Sequence, residues 1–258
     1  MAQMNTAKSS ISRTQRVENE RAIESKKWRK WLWAGAITAV VLIGILVIGV
    51  VYIWFSGGSG QPSSATAAPA LVQQPGDTRT LFHITPEESE VRFIIDETLL
   101  GNPKTVVGST DEVAGDMLVD FDNPANSQLG TIRINVRTLE TDNEFRTRAL
   151  RGQILQADRT EFEFAEFTAT ALTGLPDTVT IGEVFNFQIM GNLTVHGVTQ
   201  EVIFDATLTP VSETRLEGSA RATVRYEDFG MTIPEAPGVA NVSSEVQLEI
   251  DFAAQTSQ

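Results

Sequence analysis

From Leu81 to the C-terminus, apolar and polar residues alternate with a period of two. The apolar positions are Val91, Phe93 and Ile95; Val113, Met117, Val119 and Phe121; then Ile132, Ile134 and Val136. They continue at Phe162 and Phe164; at Phe185, Phe187, Ile189, Leu193 and Val195; and at Val202, Phe204, Ala206 and Leu208. The last two runs are Ala220, Ala222, Val224 and Tyr226, then Val246, Leu248, Ile250 and Phe252. Between them lie mostly Arg, Glu, Asp, Asn, Gln and Thr. Successive side chains of a strand point to opposite faces, so each run predicts a strand with one dry and one wet face, as antiparallel sheets allow. Turn residues separate the runs at Asp122-Asn123-Pro124, Gly174 to Asp177, His196-Gly197 and Pro210 to Ser212. The pattern predicts eight antiparallel strands, closing as a barrel or stacking as a sandwich. An eight-stranded barrel is either filled by its own side chains or wide enough for one small ligand. A membrane-spanning barrel is excluded, because its charged face would have to meet lipid.

Two stretches break the rhythm. Residues 142–158, DNEFRTRALRGQILQAD, lack alternation and open with Asp142 and Asn143 as candidate caps. They predict a short helix interrupted near Gly152. Residues 229–241 contain Pro234 and Pro237 and predict an ordered loop.

Ahead of the alternating region the pattern changes completely. Residues 31–55, WLWAGAITAVVLIGILVIGVVYIWF, hold no charge. As a helix they would span roughly 37 Å, enough to cross a ~30 Å hydrocarbon core with some tilt. Trp28, Trp31 and Trp33 at one end, with Tyr52 and Trp54 at the other, suit the two headgroup regions. A cleaved signal peptide is the rival reading, since Ala65-Thr66-Ala67 has the small-x-small form. Against it, the 30 residues before the apolar run and the length of the run itself favour an uncleaved anchor. Residues 56–80, SGGSGQPSSATAAPALVQQPGDTRT, have no periodicity and predict a linker. A flexible linker of this length reaches about 25–30 Å.

Charge adds a direction. Residues 1–30 carry 8 Lys/Arg and 3 Asp/Glu, a net of +5, whereas residues 31–258 carry 12 and 30, a net of −18. Lys26, Lys27, Arg29 and Lys30 directly precede the apolar run, while residues 56–78 hold no cation. The positive-inside rule then keeps the basic tail 1–30 in the cytoplasm and puts the C-terminal domain outside the membrane, in the periplasm or beyond. The same basic stretch also suits anionic lipid headgroups, though a topology determinant is the plainer account. Beyond Lys30 the only lysine is Lys104, so an acidic outer domain offers nothing to nucleic acid. The chain has no Cys and only two His, His83 and His196, which excludes disulfides, thiolate metal sites and histidine clusters.

The inward-facing positions carry Phe, Ile, Val, Leu and Met and almost nothing ionisable. Phe93, Ile95, Met117, Val119, Ile134, Phe164, Phe187, Ile189, Leu193, Phe204, Val224 and Leu248 are the candidate ligand-binding wall. Such a wall favours a hydrocarbon chain, at about 0.8 kcal/mol per buried CH₂, and offers little to activate water or a nucleophile. Arg146 and Arg148 are candidate contacts for a phosphate head group, with His196 as a third. The plainer reading has the arginines offsetting Glu144 and Glu140, and His196 serving the turn. Glu161 and Glu163 alternate with Phe162 and Phe164 and fall on the wet face. No catalytic residue and no metal ligand is expected.

Several segments resemble the YceI-like family. GNLTVHGVTQEV at 191–202 is similar to its G-x-L-T-x-H-G-V-T-x-x-V signature. INVRTLETDN at 134–143, followed by Arg146 and Arg148-Ala149-Leu150, resembles its strand and helix. Asp228 to Met231 and Glu245 to Ile250 resemble its penultimate turn and last strand, so the likeness covers about residues 82–253. It implies an all-β, lipocalin-like, up-and-down barrel with a short helical insertion, holding a polyisoprenoid or similar amphiphile, behind one N-terminal transmembrane helix. Departures lie in the first strand at Ser89 to Asp96, in residues 99–110 with Pro103 and Lys104, and at Thr147, where an Asp is common. The expected organisation is a basic tail 1–30, a span 31–55, a linker 56–80 and a barrel domain 81–258. The expected role is membrane-tethered lipid binding with no required cofactor, as a monomer or weak dimer. A filled structural barrel that binds other proteins and an enzyme of unseen chemistry are the alternatives.

Overall fold

The computed structural model describes residues 35–55, 58 and 60–256. The basic tail 1–30 and the aromatic residues Trp28, Trp31 and Trp33 lie outside the described residues. Helix α1 (Gly35–Phe55) has 21 residues and a mean hydropathy of 2.9, which is long and apolar enough to cross a membrane.

The remainder is built on strands. β1 (Thr80–Ile84), β2 (Glu90–Leu99), β3 (Asn102–Thr110), the two-residue β4 (Val113–Ala114) and β5 (Asp116–Val119) come first. β6 (Gln128–Leu129), β7 (Thr131–Asn135) and β8 (Glu140–Thr141) lead into helix α2 (Glu144–Ala149). The long strands β9 (Phe164–Thr173), β10 (Phe185–Val195), β11 (Val198–Ser212) and β12 (Arg215–Arg225) follow. β13 (Val239–Ala240) and β14 (Glu245–Gln255) complete the order.

Strands β7, β9, β10, β11, β12 and β14 are hydrogen-bonded in that sequence, and β14 also pairs with β2, which pairs with β3. The seam from β3 back to the first strands of this row is narrow. Gly108 and Ser109 oppose Thr141 and Glu140, while Val113 and Ala114 oppose Ile134 and Arg133. The sheet therefore curls into a lipocalin-like antiparallel barrel, with β1 and β5 as a ribbon on the end of β14. Phe82, Leu216 and Ala254, all 0% exposed, seal the junction of ribbon and barrel.

The described residues form fourteen strands where the pattern predicts eight, and three further details depart from the sequence expectation. β3 was not visible as a strand, because Val106-Val107-Gly108 interrupts alternation and Pro103 reads as a breaker. Pro103 instead sits second in the strand opposite Thr98, next to the turn, where losing one N–H is tolerated. The run Val113–Phe121 is not one strand: it divides at Gly115 into β4, which closes the seam, and β5, which pairs with β1. Pro210 to Ser212 is not a turn but the end of β11, where the register shifts; such an irregularity accommodates a proline inside a ladder.

The helical insertion follows the expectation closely. The Asn143 side chain accepts from the backbone N–H of Phe145 at 2.9 Å and of Arg146 at 3.2 Å. After Ala149 the coil widens to a π-helical turn, Leu150–Ile154, which contains Gly152.

Part of the Gly/Ser/Pro-rich segment is seated on the barrel. Ser63 donates through its backbone N–H (2.8 Å) and its hydroxyl (2.5 Å) to the Glu163 carboxylate. Thr66 donates to Glu112 at 2.7 Å, the Ala67 carbonyl accepts from Arg133 at 2.8 Å, and the Leu71 N–H donates to Asp116 at 2.9 Å. A flexible-coil reach therefore does not describe the stretch from Ser63 to Leu71.

Candidate functional site

The dry faces of the barrel strands enclose a cavity of about 340 Å³. Alternation supplies its wall. β2 contributes Val91, Phe93 and Ile95; β10 contributes Phe185, Phe187, Ile189, Leu193 and Val195; β14 contributes Val246, Leu248, Ile250 and Phe252. Between Phe185 and Val195 the wall runs about 33 Å at ~3.3 Å per residue. Rings organise the middle of it: Phe167 meets Phe204 edge-on with centroids 5.0 Å apart, and Phe185 lies 5.7 Å from Phe187. Gly191 makes this possible, because a Cβ there would stand 2.5 Å from Cζ of Phe167. The π-turn lends Leu150 and Ile154 at one end, together with Leu139 and Met231.

Eleven of the twelve apolar positions expected on the wall lie on it: Phe93, Ile95, Met117, Val119, Ile134, Phe187, Ile189, Leu193, Phe204, Val224 and Leu248. Phe164 does not. A 3₁₀ turn at Thr160–Phe162 resets the alternation before β9 starts, so Ala165 and Phe167 face inward instead. Phe164 lies under the Arg133 guanidinium, 5.1 Å from its centroid.

The same reset exposes an error at Glu163. Expected on the wet face, it is 0% exposed and takes hydrogen bonds from Ser63 and from Asn135 (3.0 Å), with Arg137 at 3.2 Å. Burial pushes its carboxyl up, but the bonds from Ser63 and Asn135 and the Arg137 charge outweigh that and hold it below its ordinary 4.5. No sequence signal pointed to it, because all its partners are distant or on the linker.

Of the polar candidates, only Arg146 reaches the cavity, and it does so already paired. It donates to Glu97 at 2.7 Å, a residue with 8% side-chain exposure, and also to Asp142. Lys104 binds Asp142 at 2.6 Å and holds that carboxyl below the usual carboxylate range. Arg148 is off the wall and pairs with Glu144 at 2.9 Å along the helix. His196 is off it too. With φ of 51° it occupies the β10–β11 turn beside Gly197 at 75°, the left-handed pair that a tight hairpin demands, and its ring packs on Phe162 at 4.6 Å. The other histidine, His83, bonds Asp116 at 2.7 Å, and neither residue lines the cavity. The charged residues along the wall are Arg92, Glu97, Arg146 and Glu249, and Arg92 bonds Glu249 at 3.1 Å. Among the described residues, no group of three or more His, Asp and Glu side chains is arranged to hold a metal ion. The arrangement suits enclosure of an apolar chain.

Residues 82–254, from β1 to β14, match the YceI-like domain. The chain belongs to the YceI-like family. Among curated relatives, a UPF0312 protein of Yersinia pestis is 27% identical over 146 residues, covering 55% of this chain and 69% of that protein. A UPF0312 protein of Yersinia enterocolitica is 28% identical over 147 residues, with the same coverage. Among solved structures, a polyisoprenoid binding domain from Saccharophagus degradans, implicated in plant cell wall breakdown, superposes with a TM-score of 0.54 at 13% identity. The superposition covers 68% of this chain and 98% of that one. BcnA of Burkholderia cenocepacia gives 0.52 at 15%, covering 67% and 99%. These likenesses establish the barrel as the YceI-like fold. The segment 191–199, GNLTVHGVT, forms the end of β10, the His196-Gly197 turn and the start of β11.

Proposed function

We propose that this YceI-like domain binds a long-chain isoprenoid or similar amphiphile in its cavity, tethered to the outer face of the cytoplasmic membrane by α1. The observation that carries this reading is the elongated apolar cavity, walled by Phe, Ile, Leu and Val along nearly every barrel strand. Burying a hydrocarbon chain there gains about 0.8 kcal/mol per CH₂. The fold-mate from Saccharophagus degradans, described as polyisoprenoid binding, supports the same ligand class. Binding, not catalysis, is the role assigned: the wall presents no nucleophile–base pair. Residues 81–258 act as the binding domain, 56–80 as its tether, 31–55 as the span and 1–30 as a cytoplasmic tail. Residues lining the cavity, not Arg148 or His196, are assigned to ligand contact.

Native mass spectrometry of the detergent-extracted full chain tests the binding. A lipid-sized adduct that leaves on activation is expected. A bare protein that also takes up no added isoprenoid lipid would favour a filled barrel. For topology, protease added outside spheroplasts should digest the barrel domain and spare an epitope at the N-terminus. The opposite protection pattern would reverse the orientation.

A further inference from the structure

We infer that the helical end of the barrel rests on the bilayer surface, with Leu100 and Phe145 entering the headgroup region; this depends on residues 31–55 spanning the membrane. Residues Ile53–Gln258 form one compact unit, which includes Trp54 and Phe55 at the end of the apolar run. There Trp54 meets Phe145 of α2 edge-on, with ring centroids 5.9 Å apart. The Arg148 guanidinium lies 4.1 Å from the Trp54 ring and donates to the Trp54 carbonyl at 2.9 Å. The last carbonyls of a helix lack intrahelical partners and attract a cation in this way. Tryptophan at the end of a span belongs at headgroup level, and α2 is held there with it. Covalent length points the same way. Gly60 packs so closely on the Arg151 guanidinium, in the π-turn, that a side chain there would collide with it. The five residues from Phe55 to Gly60 reach at most about 18 Å.

The β2–β3 hairpin ends on the same rim. Glu97 and Lys104 oppose each other in its ladder, and they pair with Arg146 and Asp142 at 2.7 and 2.6 Å. Three residues beyond Glu97 the tip is Leu100-Gly101, with φ of 50° and 85°. A tight turn of this kind favours Asn-Gly, because a side chain such as leucine is strained at positive φ. Leu100 is 78% exposed there, and Phe145 is 48% exposed on α2. A strained, exposed leucine answers to what it meets outside the protein, and the bilayer is the apolar phase within reach. The charges around these two side chains balance. Glu97, Asp142 and Glu144 are matched by Arg146, Lys104 and Arg148, so this part of the rim meets headgroups without a net repulsion.

The chain has no Cys, so a single introduced thiol carries the only label. Full chains bearing Leu100→Cys, Phe145→Cys or Val184→Cys, each with a nitroxide, are reconstituted into phosphatidylcholine vesicles. Val184, 66% exposed, marks the opposite end: it adjoins Phe185, while Val195 at the other end of β10 packs with Leu139 and Leu150 next to α2. At positions 100 and 145, collision with oxygen should exceed collision with an aqueous nickel chelate severalfold, and at 184 the order should reverse. Aqueous behaviour at either 100 or 145 overturns the inference while the span stands. Labels shielded from both agents, with or without lipid, mean that protein covers the rim and overturn it too. A chain that does not float with the vesicles overturns the span and this inference together. Leu100→Asn gives an independent measurement, because asparagine suits the turn better. That variant should melt above the parent in detergent, whereas a lower melting temperature would give Leu100 a role in the fold and overturn its assignment to lipid.

Discussion

Glu163→Ala lowers the unfolding free energy of the barrel by about 3–5 kcal/mol, the usual consequence of removing one partner from a buried ion pair. Asn135, itself 0% exposed, loses its acceptor, and Arg137 is left at a site with 13% side-chain exposure and no counter-charge from Glu163. Ser63 loses both of its bonds, so the segment from Ser63 to Leu71 should become cleavable under limited proteolysis. Chemical denaturation of the detergent-solubilised chain, read by circular dichroism, measures the first effect. A loss under about 1 kcal/mol, within the range of an ordinary surface change, would show that the carboxylate does not hold the segment from Ser63 to Leu71 on the barrel. The pH dependence has a definite sign. Glu163 is held below its ordinary 4.5 in the folded state, so its contribution is complete above that value and is lost as pH falls through the lowered one. The variant should therefore lose less stability on acidification than the parent.

Ile189→Trp abolishes lipid retention while the protein still folds. Ile189 is 8% exposed and stands midway along β10, opposite Phe204 on one side and Leu172 on the other, all three on the cavity wall. An indole there projects into the cavity of about 340 Å³ and blocks its length. Overpacking a filled core costs typically ~1–3 kcal/mol, and spare volume should keep the cost near the lower figure. Native mass spectrometry of parent and variant, beside a thermal melt of each, separates the outcomes. Adduct retained at parental level in a folded variant would remove β10 from the binding wall. Failure of the variant to fold would instead mean that the barrel interior has no room to spare.

The sequence by itself determined an apolar stretch long enough to cross a membrane and a series of strands whose dry faces follow from period-two alternation, while their closure as a barrel was implied by the family resemblance. That period is a local property of extended backbone, so it placed eleven wall residues without reference to their partners. The Asn143 cap and the break at Gly152 were equally local, set by side chains within a few residues. What escaped was everything that depends on parity being reset or on contacts across the chain. The 3₁₀ turn at Thr160–Phe162 moved Phe164 off the wall and turned Glu163 into the barrel's most enclosed carboxylate. β3 became a strand because its neighbour β2 offered nine residues of ladder, despite Pro103 and an irregular pattern. Only tertiary structure joined Glu97 to Arg146, 49 residues apart, and Ser63 to Glu163, 100 apart. Buried charges must find partners to survive desolvation, and which partner is near enough depends on how the sheet closes, not on the sequence around either residue.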